Sequence, residues 1–458
     1  MSTASPAVFT QGSTMRHVIV MTGTASVGLL AIFMVEFLSL LYVSWLGDKT
    51  LTAAVGFGTV LLFIATSVNI GLMIAGSALT SRAIGAGDRA VARRLAGSAV
   101  LHTIIISGAV TIGMLLALPW LLERIGATGE TAEVARRFLL ITLPSNVLMA
   151  TGMAFSGVLR AVGDARRAMN VTLVGAIATA IADPILIFGL GLGVDGAAWG
   201  TVVSRLFFAG VGFYGAVKVH GLVARPEVAA ALKDLRPMLA IALPAILTNV
   251  AHPLASAFVT VIASRFGDPM IAANAVVDRL MPVAFCGLFA LSGAVGPILG
   301  QNLGAGRFDR MRRALKDALI FATVYVAVVG GVLALGSGTI ASLFALQGLA
   351  AEIVILTCLI SGPAWLFVGH LFVSNAVFNN LGFPLYSTAF NWGRATLGTV
   401  PFVWLGAEML GPKGVPIGLG AGGAIFGIIA VVVAFNAITR LERRAGAAAP
   451  AVRSTAVA

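Results

Sequence analysis

The sequence predicts an all-α, polytopic membrane protein: twelve transmembrane helices in two pseudo-symmetric six-helix lobes. Three observations carry that reading: an apolar composition, twelve long apolar windows, and an internal repeat offset by nearly half the chain. Of 458 residues, 59% are hydrophobic and 10% charged, whereas a soluble domain carries ~25% charge. No soluble fold of this length hides so much apolar surface, so the chain's solvent is lipid.

The windows fall at 17–45, 52–81, 97–121, 136–159, 169–190, 196–217, 238–264, 270–301, 317–344, 351–378, 384–406 and 416–439. Each is long enough for a spanning helix, which needs about 20 apolar residues. The run after residue 16 is too long for the apolar part of a signal peptide, so it reads as the first span. Connections such as "GLGVDG" are short, which makes neighbouring helices antiparallel. The chain divides into an N-terminal tail (1–16), an N-lobe (17–219), a linker (220–236), a C-lobe (237–440) and a C-terminal tail (441–458). The final stretch, "RRAGAAAPAVRSTAVA", is small and polar, as disordered tails are.

An even number of spans leaves both termini on one side. Of 30 Lys and Arg, 21 fall on that side, six on the other, and Arg205, Arg279 and Arg394 lie within spans. This imbalance places the termini in the cytoplasm. The net charge of +12 is therefore topology, and no nucleic-acid partner is expected. Cys286 and Cys358 sit in apolar runs as small core residues.

The repeat is legible by eye. "WLGDKTLTAAVGFG" (45–58) aligns with "RFGDPMIAANAVVD" (265–278), pairing Gly47-Asp48 with Gly267-Asp268. "AIGAGDRAVARRL" (83–95) aligns with "NLGAGRFDRMRRAL" (302–315), and "VLRAVGD" (158–164) echoes "VFNNLGF" (377–383). The second span of each half carries the matching motif in the same position, so the halves share one orientation. Parallel repeats of this kind leave a substrate cleft between two rocking lobes. One chain holds both lobes, so the expected species is a monomer, with membrane lipids around it.

Acids inside spans are few: Glu36 in the first, Asp183 in the fifth and Asp278 in the eighth. A charge at mid-bilayer costs about 2.5–3.5 kcal/mol even on the lenient insertion scale, so each invites a role. Asp183 precedes Pro184, which removes a helical N–H and leaves the Ala180 carbonyl free beside the carboxylate. Thr179, one turn earlier on the same face, is placed to hydrogen-bond it. A carboxylate in low dielectric holds a proton more readily than in water, which is what proton coupling requires. The competing structural reading is a cap on the adjacent turn. Glu36 has apolar neighbours on both sides and competes with a plain helix–helix hydrogen bond. Asp278 is followed by Arg279 and competes with an interhelical ion pair. Asn249, His252, His370, Asn375, Asn379 and Arg394 make the second half polar, as substrate, lobe or helix–helix contacts.

The Gly-rich loops lack the "GxxxxGK[ST]" pattern of a nucleotide cradle, so ATP-driven pumping is not expected. No Ser/His/Asp order or metal-ligand spacing supports an enzyme. No cofactor is expected beyond a coupling ion.

Nearly the whole chain resembles the multidrug and toxic compound extrusion (MATE) family. The resemblance rests on "RAIGAGD", "GVLRAVGDARRAMN" (157–170), "DPILIFGLGLGVDGAAWGTVVSR" (183–205) and "GPILGQNLGAGRFDRMRRAL" (296–315), in that order. It implies a V-shaped pair of lobes in a bacterial inner membrane. It also implies export of amphipathic, often cationic compounds against inward H⁺ or Na⁺. The family's fifth-helix Asp-Pro falls on Asp183-Pro184. In members resembling the DNA-damage-inducible branch that Asp works with a first-helix acid, here Glu36. Thr179 replaces a fifth-helix Asn, and Ser256 stands where the C-lobe would repeat Glu36. The first weakens an N-lobe Na⁺ site; Ser256 and a tenth span without the acid of the sodium-linked branch both favour the N-lobe acids and protons. The remaining alternatives are a Na⁺-coupled exporter of the same family and a lipid-linked oligosaccharide flippase of the same superfamily, for which span-borne basic residues are few.

Overall fold

The computed structural model describes residues 7–47 and 49–448. Asp48 of the first repeat motif, Arg453 and the tail from 449 lie outside the described residues. Among the described residues there is no strand. Eleven helical stretches are long and apolar enough to cross a membrane. The last of them, Pro384–Ala447, contains two helices joined by a 3-10 turn at Gly411–Lys413, which makes twelve spans.

In chain order these are α1 (Thr14–Ser44), α2 (Lys49–Gly85), α3 (Arg89–Leu116), α4 (Gly129–Val162), α5 (Ala165–Gly189) and α6 (Gly193–Val219). The second set is α7 (Val228–Ser264), α8 (268–304, broken at Phe285), α9 (Phe308–Leu335), α10 (Gly348–Leu381), α11 (384–410) and α12 (Gly414–Ala448). Every expected window overlaps one of these helices over most of its length.

Four boundaries differ from expectation. The expected third and ninth spans run too far, because short helices at Leu118–Arg124 and Ser337–Leu343 turn off the ends of α3 and α9. The linker is shorter than 220–236, since α7 is already helical from Val228. Asp234, expected in the linker, is buried there, accepting a 2.8 Å bond from Ser98 and pairing with Arg94. The tail expected from 441 continues α12 to Ala448. Its alanines are strong helix formers and add no cost to extending the helix.

The repeat is structural. Left-handed glycines recur at matched positions: Gly47 and Gly267, Gly87 and Gly306, Gly129 and Gly348, Gly163 and Gly382. Only a residue without Cβ adopts such a φ freely. The Gly-Asp motifs are turns rather than phosphate cradles. Asp88 caps α3 by accepting from the Val91 N–H at 2.9 Å, and Asp164 caps α5 through Arg167 N–H at 3.0 Å.

The lobes meet on the side bearing the termini. There α2 and α8 cross so closely that a Cβ at Gly85 would strike the Gln301 backbone, and one at Gly304 the Arg82 carbonyl. Gly85 and Gly304 are repeat mates, and so are Arg82 and Gln301, so the two contacts are equivalent across the pseudo-two-fold axis. Small residues permit this approach, as at other membrane helix crossings.

Residues 7–13, expected to be a plain tail, complete the seal. Phe9 is 1% exposed, with its ring edge-on to His17. Its N–H donates to Gln301 Oε1 at 2.9 Å, and its carbonyl accepts from Asn302 and Arg310. Gln301 also donates to the Ala161 carbonyl at 2.7 Å. One buried amide thus ties the N-terminal segment, the N-lobe and the C-lobe together.

Candidate functional site

The α1–α5 pair builds the site. A Cβ at Gly28 would touch Thr172, and Ser39 hydrogen-bonds Asp183; both pairs are separated by 144 residues in sequence. The two helices therefore run parallel and in register, with Ser39 level with Asp183. One turn nearer the termini, Glu36 is level with Ala180, beside Thr179. Glu36 and Ser39, three apart, share a helix face.

Asp183 is 1% exposed. Ser39 Oγ–H donates to Oδ2, while Oδ1 has no hydrogen-bond partner. Oδ1 points at α6, where a methyl group on Gly200 would collide with it. Pro184 does not break the helix: the backbone widens into a π-turn at Ile185–Gly189. Such turns occur frequently at functional sites. The carboxylate is thus held in a closed notch by one hydroxyl, with one oxygen unfilled.

Thr179 does not make the bond expected of it. Its hydroxyl donates back to the Gly175 carbonyl at 3.2 Å, because a threonine in a helix readily bonds the carbonyl one turn earlier. Glu36 is exposed on α1. None of the hydrogen bonds described for the molecule involves its carboxylate. The structure therefore brings Glu36, Ser39 and Asp183 together and leaves Thr179 beside them. Ser39 and Gly200 were missed in the sequence. The spacing of Ser39 from Glu36 was the signal for the first; nothing local marks the second.

The C-lobe candidates separate into two groups. His370 pairs with Thr323 of α9 at 3.1 Å, Asn375 accepts from Asn391 of α11 at 3.0 Å, and Asn249 bonds its own helix at Ala245. The first two are helix–helix contacts. Asp278 is exposed and accepts from Asn274 at 3.3 Å rather than pairing with Arg279. Asn379 is buried, with its Oδ1 unpartnered. His252 is exposed and Arg394 is buried. Ser256, the counterpart of Glu36, uses its carbonyl to accept from Thr260.

The MatE family profile matches the chain twice, at residues 25–185 and 244–405, the two halves that the repeat marks out. The FAD transporter of Shewanella oneidensis is 28% identical over 414 residues, 88% of this chain and 90% of that protein. DNA damage-inducible protein F of Escherichia coli is 28% identical over 299 residues, 62% and 63% of the two chains. The probable multidrug resistance protein NorM of Deinococcus radiodurans is 26% identical over 274 residues, 59% and 60%. Among solved structures, a mutant of the Vibrio cholerae MATE transporter VcmN superposes with TM-score 0.88 at 25% identity. It covers 94% of this chain and 98% of that one. An outward-facing multidrug resistance MATE family transporter of the MOP superfamily gives TM-score 0.90 at 22% identity, over 97% and 100%. Two matched halves, twelve spans and a shared lobe architecture lead to one assignment: the chain belongs to the MATE family of multidrug efflux transporters, and it is a transporter rather than an enzyme.

Proposed function

We propose that the protein exports amphipathic drugs or metabolites from the cytoplasm across a bacterial inner membrane, by alternating access, in exchange for inward protons. Asp183 is the observation that carries this reading. A buried carboxylate with a single hydroxyl donor and one unfilled oxygen is suited to receive a proton, since an unpaired buried charge is costly. Glu36, one turn away on the exposed face of α1, is placed to pass that proton between cleft and notch. Taking up the proton removes the charge that Ser39 serves, which alters how α1 packs on α5 and favours release of substrate.

Sodium coupling fits less well. A hard cation wants several oxygens around the carboxylate, whereas Thr179 turns back to Gly175 and Ser39 presents a proton. The 21 to 6 division of basic residues supports cytoplasmic termini. The lobe seal on that side is then the cytoplasmic gate of an outward-open state.

The test is ethidium accumulation in inside-out proteoliposomes under an imposed pH gradient, then under an imposed Na⁺ gradient. Accumulation driven by pH alone is expected. Accumulation driven by Na⁺ alone would reject proton exchange.

A further inference from the structure

Several buried arginines keep unpartnered donors. Arg205 of α6 is buried, and its Nη1 donates to the Thr142 carbonyl at 2.7 Å and to Ser145 Oγ at 2.9 Å. Arg82 donates from Nε to the Asn380 carbonyl at 2.9 Å while its Nη2 has no partner, and Arg160 Nε has none either. Arg394 of α11 is 9% exposed, and its Nε has no hydrogen-bond partner. None of the hydrogen bonds or ion pairs described for the molecule involves its guanidinium. A guanidinium has five donors in a rigid fork. Buried without an anion, it is among the costliest groups a membrane helix can hold.

Its location gives it an outlet. Arg394 opens the π-turn Arg394–Gly398 that interrupts α11, ten residues into the helix and so about 15 Å from its end at the α helical rise. His252 of α7 is exposed and follows Ala251, which packs with Ala395, the neighbour of Arg394. Ala251, Ala255 and Ala395 pack together beside the two, with Trp392 against them. This part of the C-lobe therefore carries a cation, an imidazole and a tryptophan on two packed helices, α7 and α11.

We propose that Arg394, with His252 at its mouth, receives an anionic oxygen group, carboxylate or phosphate, borne by the transported substrate. This deepens the export reading and rests on it. The substrate class is then an aromatic amphiphile with an acidic group, and the bidentate fork of Arg394 supplies the geometry such a group needs. His252 donates or accepts at the rim without carrying a fixed charge.

Flavin mononucleotide and riboflavin differ only in a phosphate, so the pair reads this site directly. Binding to the purified protein, followed by flavin fluorescence quenching, is expected to favour the phosphate form by about tenfold. Arg394→Gln is expected to erase that preference, Arg394→Lys to restore part of it, and His252→Asn to reduce it. The readout is the ratio of the two flavin affinities on each variant, which a general loss of folding or binding does not change. If Arg394→Gln does not fold, the exposed His252→Asn and the wild-type preference still decide. An absent preference in wild type, or equal loss of both flavins in the variants, overturns the proposal. So does an Arg394-dependent stabilisation by phosphatidylglycerol but not by flavin mononucleotide, which would assign the site to a lipid headgroup. Because binding needs no gradient, a failure of coupled export leaves this result readable.

Discussion

At the scale of single residues, the account turns on how few groups attend Asp183. Ser39 is its one donor, and Gly200 is the space its second oxygen occupies. Ser39→Ala removes a hydrogen bond to a charged group, worth about 1.5–3 kcal/mol. Coupled transport is expected to fall about tenfold or more, while Ser39→Thr keeps a hydroxyl and most of the activity. Gly200→Ala forces the carboxylate to move and is expected to impair coupling similarly, with substrate binding intact. Initial rates and binding isotherms on the same preparations separate these effects. Asp183 was legible in the sequence because a charge inside an apolar run stands out, and so was the proline beside it. Ser39 and Gly200 were not, because which hydroxyl or hydrogen faces a carboxylate 144 residues away depends on helix register.

At the scale of elements, the Gly-Asp turns are the most testable joints. Asp164 caps α5, accepts from Arg167 Nη1 at 2.6 Å and bonds His220 Nε2 at 2.8 Å. Partial burial pushes its carboxyl up, but the bonds from Arg167 and His220 outweigh this and hold it below the ordinary aspartate range. A lowered folded value means the contribution is complete above the unfolded value of about 3.9 and disappears as pH falls through the folded value. Asp164→Ala is expected to cost about 1 kcal/mol at neutral pH, and the gap to wild type narrows below pH ~4. Thermal unfolding in detergent at the two pH values checks it. Element positions were legible because lipid imposes length and apolarity on every span. The break of α8 at Phe285 and the short helices after α3 and α9 were not. An apolar window records that a segment is buried in lipid or protein, not where its axis bends.

At the scale of the molecule, the repeat places a pseudo-two-fold axis through the α2–α8 crossing, and the N-terminal segment locks it. Gln301→Ala removes two hydrogen bonds, to Phe9 and to Ala161, of about 1 kcal/mol each. That is enough to shift a closed–open equilibrium about tenfold. Ser81, buried opposite Gly300 at the crossing, is a suitable reporter as Ser81→Cys, because Cys286 and Cys358 are buried. Maleimide labelling of that cysteine is expected to accelerate about tenfold in the Gln301→Ala background. An unchanged rate would show that the segment does not hold the gate. The two-lobe plan was readable from the repeat alone. The gate was not, since a polar tail gives no sign that one phenylalanine within it is an interlobe contact.

The central claim is that Asp183 carries the proton. It is tested most directly by comparing wild type and Asp183→Asn in proteoliposomes, in two assays on one preparation. The first is ethidium accumulation driven by a pH gradient; the second is ethidium exchange at equal pH, which needs no net proton movement. The account predicts that Asp183→Asn abolishes the first and retains the second. Gradient-driven accumulation at the wild-type level in Asp183→Asn would contradict it and make the notch at Asp183 a structural feature only.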